Sequence, residues 1–199
     1  LSAPDADELI HWLTQQPLLL TTGNVVMSHA GISPQWTIPQ AIELAKEVEA
    51  VLQSERCDDY LRNMYHTKPT QWSEHLEGFA RFRYIVNSLT RMRFCLANGE
   101  LEFDHKDAPV EQQGQSGQSG LVPWFDLAPD SWSDYRLIFG HWASLMGETG
   151  HKHIIGLDTG CVWGNHMTML QLQENQDAGK ITKDPVILTT TAAIRQTEL

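Results

Sequence analysis

The chain has 199 residues, 41% hydrophobic and 20% charged, which suits one sizeable globular domain or a core carrying an insertion. A formal net charge of −11, with no run of lysines or arginines, argues against binding a nucleic-acid duplex. Cys57, Cys95 and Cys161 are odd in number and too widely spaced for a zinc ribbon, and no apolar run approaches the ~20 residues of a membrane span, so a reduced, cytoplasmic setting with no membrane partner is expected.

Residues 4–16 predict a helix. Pro4 sits in its first turn, Asp5, Asp7 and Glu8 suit its positive end, and Pro17 stops it. Leu9, Trp12 and Leu13, with Ile10 beside them, form the stripe expected to be buried. Gly23-Asn24 between two apolar runs predicts a hairpin of 18–22 with 25–29. Thr37 and Gln40 make a capping box that opens a helix to about Ser54. The acidic and basic face of that helix (Glu43, Lys46, Glu47, Glu49) reads as solvated. A further helical piece covers about 58–65, and Ser73 is placed to cap a helix over 74–89.

Asn98-Gly99 predicts a second hairpin, 92–96 with 100–103. Residues 104–120 lose hydrophobicity and read as a flexible loop, low in complexity from Gln112 to Gly120. Strands are predicted at 136–140, 153–158, 166–173 and 186–191, with a polar turn at 174–184. Helices and one hairpin over 37–130 read as an inserted, mainly helical cap, and 1–36 with 131–199 as the core. Strands in succession with little helix among them favour an α+β layered fold over a doubly wound one.

Three apolar runs end in chemistry-bearing residues. Val25-Val26-Met27-Ser28 delivers His29, Leu137-Ile138-Phe139-Gly140 delivers His141, and Ile154-Ile155-Gly156-Leu157 delivers Asp158. Ligands in layered α/β proteins gather beyond the carboxyl ends of strands, so the three endings point to one shared site. Imidazoles suit borderline divalent metals, and Asp158 would either ligate or orient a ligand imidazole. The plainer reading of a histidine after a strand is a hydrogen-bonded structural residue. Arg91 and Arg93 lie at a predicted helix-to-hairpin junction, where the alternation of a strand would turn both the same way to grip a phosphate as one clamp. Their plainer reading is a pair of surface arginines. Trp36, Trp142 and Trp163 are candidates to stack on a nucleobase, although most of the seven tryptophans should be core.

The runs S-H-A-G-I-S-P-Q-W, N-S-L-T-R-M-R-F-C, F-G-H-W-A-S-L and L-D-T-G-C-V-W-G, in this order, resemble the symmetrical diadenosine tetraphosphatases. These are metallophosphoesterases related to the Ser/Thr protein phosphatases. The likeness runs from the first residues to about residue 172. It implies a β-sandwich flanked by helices in four layers, and a two-metal site served by manganese or cobalt. It further implies symmetrical hydrolysis of diadenosine tetraphosphate to two ADP. Position by position, His29 and His141 match ligands of the second metal, and Arg91 matches a phosphate-binding arginine with Arg93 a weaker candidate. Asp158, Gly160 and Cys161 match the segment that closes the site.

The resemblance covers the C-terminal two-thirds of such an enzyme. G-D-x-H-G, G-D-x-x-x-R-G and G-N-H-D, which supply the first metal's ligands, the bridging aspartate and the general-acid histidine, do not occur. The expectation is therefore a dinucleoside polyphosphate hydrolase, with hydrolysis only at background level from these residues alone. Self-association, or pairing with an N-terminal segment, would cover open sheet edges. The competing readings are a protein phosphatase of the same superfamily and a non-catalytic module that binds nucleotide or a partner.

Overall fold

Parallel strands β2 (Val25–Ser28), β6 (Arg136–Phe139) and β7 (Ile154–Gly156) form the centre of the molecule, with β1 (Leu19–Thr22) antiparallel on β2, in the order β1-β2-β6-β7. The structure is a computed structural model that describes residues 3–109, 120–172 and 186–191. The Gly23-Asn24 turn sets the β1–β2 register, pairing Leu19 with Ser28 and Thr22 with Val25. Leu137, Ile138 and Phe139 are buried on both faces of the sheet, as expected of an unbroken apolar run in a parallel strand.

One sheet face meets a large apolar core. Leu19, Val26, Leu137, Phe139 and Ile154 pack in the same cluster as Ala41, Leu44, Val48 and Ile85. The last four lie on α2 (Ile38–Leu52) and α4 (Gly78–Arg91). Residues within 37–130 therefore share one continuous core with the sheet. Thr37 caps α2 as its sequence predicts, its Oγ1 accepting from the Gln40 amide. The other face buries Val25 and Ile138, with Met27, Leu157, Leu170 and Leu172 against them. Leu170 belongs to β8 (His166–Gln171), which pairs antiparallel with β9 (Val186–Thr191). A small sheet, β4-β3-β5, is built from β3 (Phe94–Leu96), β4 (Leu101–Glu102) and β5 (Leu121–Pro123).

The mixture of sheets and four α-helices among the described residues is the expected α+β class. Three details differ, and the helical piece predicted over about 58–65 is borne out. Helix α1 (Ala6–Thr14) forms, but its apolar stripe is not buried: Leu9, Trp12 and Leu13 are 54%, 59% and 64% exposed. Among the described residues nothing covers that face. The helix predicted over 74–89 starts at Gly78 and runs to Arg91, because Ser73 caps a turn at His75 and Leu76 instead. The helix predicted over 58–65 is α3 (Cys57–Met64). The loop predicted as flexible from 104 is fixed as far as it is described. The Lys106 carbonyl accepts from Ser144 Oγ, and the Asp107 carbonyl from Trp142 Nε1. Residues 110–119 of that loop, the 174–184 turn and the tail after 191 lie outside the described residues. Among the described residues no helix is long and apolar enough to cross a membrane.

Candidate active site

Because β2, β6 and β7 are parallel neighbours, their carboxyl ends lie side by side. The backbone continues the ladder past each strand: the Gly140 amide donates to the His29 carbonyl at 2.9 Å, and the Leu157 amide to the Phe139 carbonyl at 2.8 Å. His29, Gly140-His141 and Leu157-Asp158 thus converge on one open cavity of about 380 Å³. The three sequence endings meet as predicted.

The imidazoles touch. His29 Nε2 lies 3.2 Å from His141 Nδ1, with ring centroids 5.0 Å apart. His141 Nε2 is 3.2 Å from the Arg91 carbonyl. A carbonyl only accepts, so Nε2 carries the proton and Nδ1 presents a bare lone pair. That carbonyl belongs to the last turn of α4, where backbone acceptors have no helical partner. The Leu89 carbonyl from the same turn accepts the Ala30 amide at 2.8 Å and so fixes the residue after His29.

Both histidines are held neutral. Burial lowers the pKa of His29, opposed by Asp158 and reinforced by Arg93. His141 is pushed down to about 4, by burial first, then by the charges of Arg93 and His29. Neutral imidazoles are the ligating form. Metal–nitrogen bonds of ~2.0–2.1 Å meeting at ordinary angles put two ligand nitrogens ~3–3.4 Å apart. The observed 3.2 Å between Nε2 and Nδ1 fits two corners of one ion's shell. Among the described residues no group of three or more His, Cys, Asp or Glu is placed to hold a metal ion.

His141 also carries an unusual backbone. Its φ is +65°, a left-handed conformation that costs a non-glycine residue on the order of 1–3 kcal/mol. Such strain persists only where the surroundings enforce it. Its carbonyl accepts from Arg93 Nη2 at 3.1 Å.

The arginines do not form the single clamp expected of alternate strand residues. Arg91 is the last residue of α4 and Arg93 lies beyond its C-cap, Met92, so strand alternation does not apply. Arg91 donates to Asn87 Oδ1 at 2.9 Å and lies 5.0 Å over the Phe103 ring. Arg93 faces the histidines, and Asp158 counters the loss of solvation that lowers its pKa. Asp158 Oδ1 accepts the Gly160 amide, and its charge acts on His29, His141 and Arg93.

Gly160 needs to be glycine: its φ is +71°, and a Cβ there would lie 2.8 Å from Asn165 Nδ2. It opens a tight turn, Cys161–Trp163, closed by Gly164 at φ +90°. Cys161 is a half-buried free thiol in that turn.

Of the three candidate stacking residues, Trp36 and Trp142 are buried and offer no ring face. Trp36 packs edge-on to Trp72 and Tyr84. Trp142 packs edge-on to Phe94, with its Nε1 on the Asp107 carbonyl. Trp163 is 79% exposed on the turn that follows Asp158. The groups that orient the histidines, the carbonyls of Leu89 and Arg91, are backbone atoms and leave no mark in the sequence.

No protein-family model matches the chain. Curated relatives do. The chain is 48% identical over 177 residues to the symmetrical bis(5′-nucleosyl)-tetraphosphatase of Aliivibrio salmonicida, covering 88% of this chain and 64% of the relative. It is 46% identical over 177 residues to that of Haemophilus ducreyi, with the same coverage. It is 49% identical over 178 residues to that of Serratia proteamaculans, covering 88% of this chain and 61% of the relative. The chain thus spans less than two thirds of the length of these relatives. At this level of identity along nearly nine-tenths of its length, the chain is similar to the symmetrical bis(5′-nucleosyl)-tetraphosphatases.

Proposed function

We propose that these residues form the larger part of a hydrolase that cleaves diadenosine tetraphosphate symmetrically to two ADP, on a metallophosphoesterase framework. The observation that carries this reading is the 46–49% identity to relatives of that name. The site is chemically compatible. His29 and His141, both neutral, would hold one divalent ion through Nε2 and Nδ1, and manganese or cobalt suits imidazole with oxygen donors. A metal so placed supplies charge neutralisation on phosphoryl oxygens and activation of water. The cation of Arg93 favours an anionic substrate beside the histidines, and Asp158 balances it and keeps the Gly160 turn in place. The exposed Trp163 ring offers a stacking face for one adenine.

Two histidines do not make a two-metal centre. We infer that residues 1–199 bind one ion weakly and hydrolyse at background rate, and that the portion of the relatives this chain does not span supplies the other ligands. The uncovered apolar face of α1 suits pairing with such a segment, or self-association. The test is a manganese- or cobalt-supplemented assay of ADP release from diadenosine tetraphosphate. It is run on residues 1–199 alone and with that segment supplied, with a phosphopeptide as competing substrate and His29→Ala as control. ADP appearing only in the complemented sample and lost in the control supports the reading. Preference for the phosphopeptide would replace it with a protein phosphatase. Nucleotide binding without turnover in every sample would leave a non-catalytic module.

A further inference from the structure

We propose that Arg93 is a positioning residue, which holds His141 in its left-handed backbone conformation and so aims Nδ1 at His29. His141 is gripped at both ends by one short segment of the chain. The Arg91 carbonyl takes its ring Nε2 at 3.2 Å, and Arg93 Nη2 donates to its carbonyl at 3.1 Å. The Arg93 backbone is itself anchored, its carbonyl accepting the Trp124 amide at 3.1 Å. The next residue, Phe94, packs against the Trp142 ring at 4.7 Å, so the segment runs tightly beside His141-Trp142.

Arg93 is not placed as a surface arginine would be. Its Nε is buried with no hydrogen-bond partner, a cost that turning out to solvent would remove. What that placement secures is the His141 carbonyl. A residue with φ of +65° relaxes toward negative φ when its carbonyl is released, and that rotation carries the ring away from both Arg91 and His29. A guanidinium suits the task because its planar fork reaches the carbonyl while its charge stays within the field of Asp158.

The first measurement is nitrogen-15 NMR of the His141 ring in the metal-free 199-residue chain, which reports which ring nitrogen bears the proton. The expected wild-type result is a single form protonated at Nε2. Arg93→Met should give a mixture of the two tautomers with an unchanged melting profile, and Arg93→Lys, which keeps a cationic donor, should partly restore the single form. Arg81→Met removes a comparably seated arginine from its bidentate pair with Glu47, away from the site, and should leave the His141 ring unchanged.

The second measurement rests on the metal reading above. Mn²⁺ titrated calorimetrically should bind about 10–100-fold more weakly to Arg93→Met than to wild type, the usual loss when an orienting group is removed. A folded Arg93→Met chain with His141 still wholly protonated at Nε2 overturns the proposal. If Arg93→Met does not fold, Arg93→Ala carries the decision: a fully wild-type ring, with wild-type Mn²⁺ affinity, overturns it equally. Wild-type protein that binds no Mn²⁺ would count against the metal reading alone, and the tautomer result would still decide the role of Arg93.

Discussion

A Cβ added to Gly31 would lie 2.6 Å from Cε2 of Trp124 and 2.9 Å from Cε of Met92. The glycine that follows Ser28-His29-Ala30 is therefore a packing requirement: it lets the chain beyond β2 pass beneath an indole that is itself wedged against Phe139 at 5.1 Å. Gly31→Ala should destabilise the fold by about 1–3 kcal/mol through overpacking. Urea unfolding followed by tryptophan fluorescence measures this, and an unchanged midpoint would refute it.

His29→Ala and His141→Ala should each abolish measurable Mn²⁺ binding while leaving the far-ultraviolet circular dichroism spectrum unaltered. Each removes one of two converging nitrogens that lie 3.2 Å apart, and a single imidazole holds a divalent ion poorly. Binding retained in either variant would place the ion elsewhere.

Acid should weaken the metal-free fold in a defined window. The pKa of His141 is about 4 in the folded chain against 6.5 when unperturbed, and burial also lowers that of His153. Between those values the unfolded chain binds the proton and the native chain does not, so stability rises with pH there and is flat with respect to His141 above it. Unfolding midpoints should fall as pH drops from 6.5 toward 4, and His141→Gln should flatten part of that slope. A slope unaffected by the substitution would remove His141 from the account.

Trp163→Ala should leave the melting temperature within experimental error of wild type, because the ring is 79% exposed. It should weaken binding of an adenine nucleotide by about 1–3 kcal/mol if the ring stacks on a base. Equilibrium dialysis with ADP distinguishes the outcomes, and unchanged affinity would exclude Trp163 as a stacking surface.

Replacing Leu9, Trp12 and Leu13 together by serine should change stability little, within ~0.5 kcal/mol per position, because none of them is buried. The same change should reduce self-association in sedimentation velocity. A large loss of stability would mean that the face is covered in solution.

The parts of the site that lay open in the sequence are those with local causes. An apolar run followed by a small residue and a histidine marks a strand end, and neighbouring parallel strands bring such ends together, so His29, His141 and Asp158 could be grouped. Caps and turns were equally readable: Thr37 with Gln40, Gly23-Asn24 and Asn98-Gly99 all act as their chemistry dictates. What escaped depended on distant partners. Trp36 and Trp142 lie beside motif residues, yet Tyr84 and Phe94, far along the chain, decide that they are core. Arg91 and Arg93 looked like a strand pair because the helix preceding them runs two residues longer than its pattern suggested. The stripe of α1 had the right spacing for burial, but spacing alone cannot provide a surface to bury it against.

The continuous apolar cluster from the sheet through α2 and α4 bears on how the molecule comes apart. A module with a private core can open while its neighbour stays closed, whereas elements that share one core lose their partners together. Amides of β6 and of α2 would then exchange their hydrogens through the same global event. Excising residues 37–130 would not release a tidy scaffold; it would expose Val26, Leu137 and Phe139 and leave the strands that carry both histidines without the layer that holds them flat.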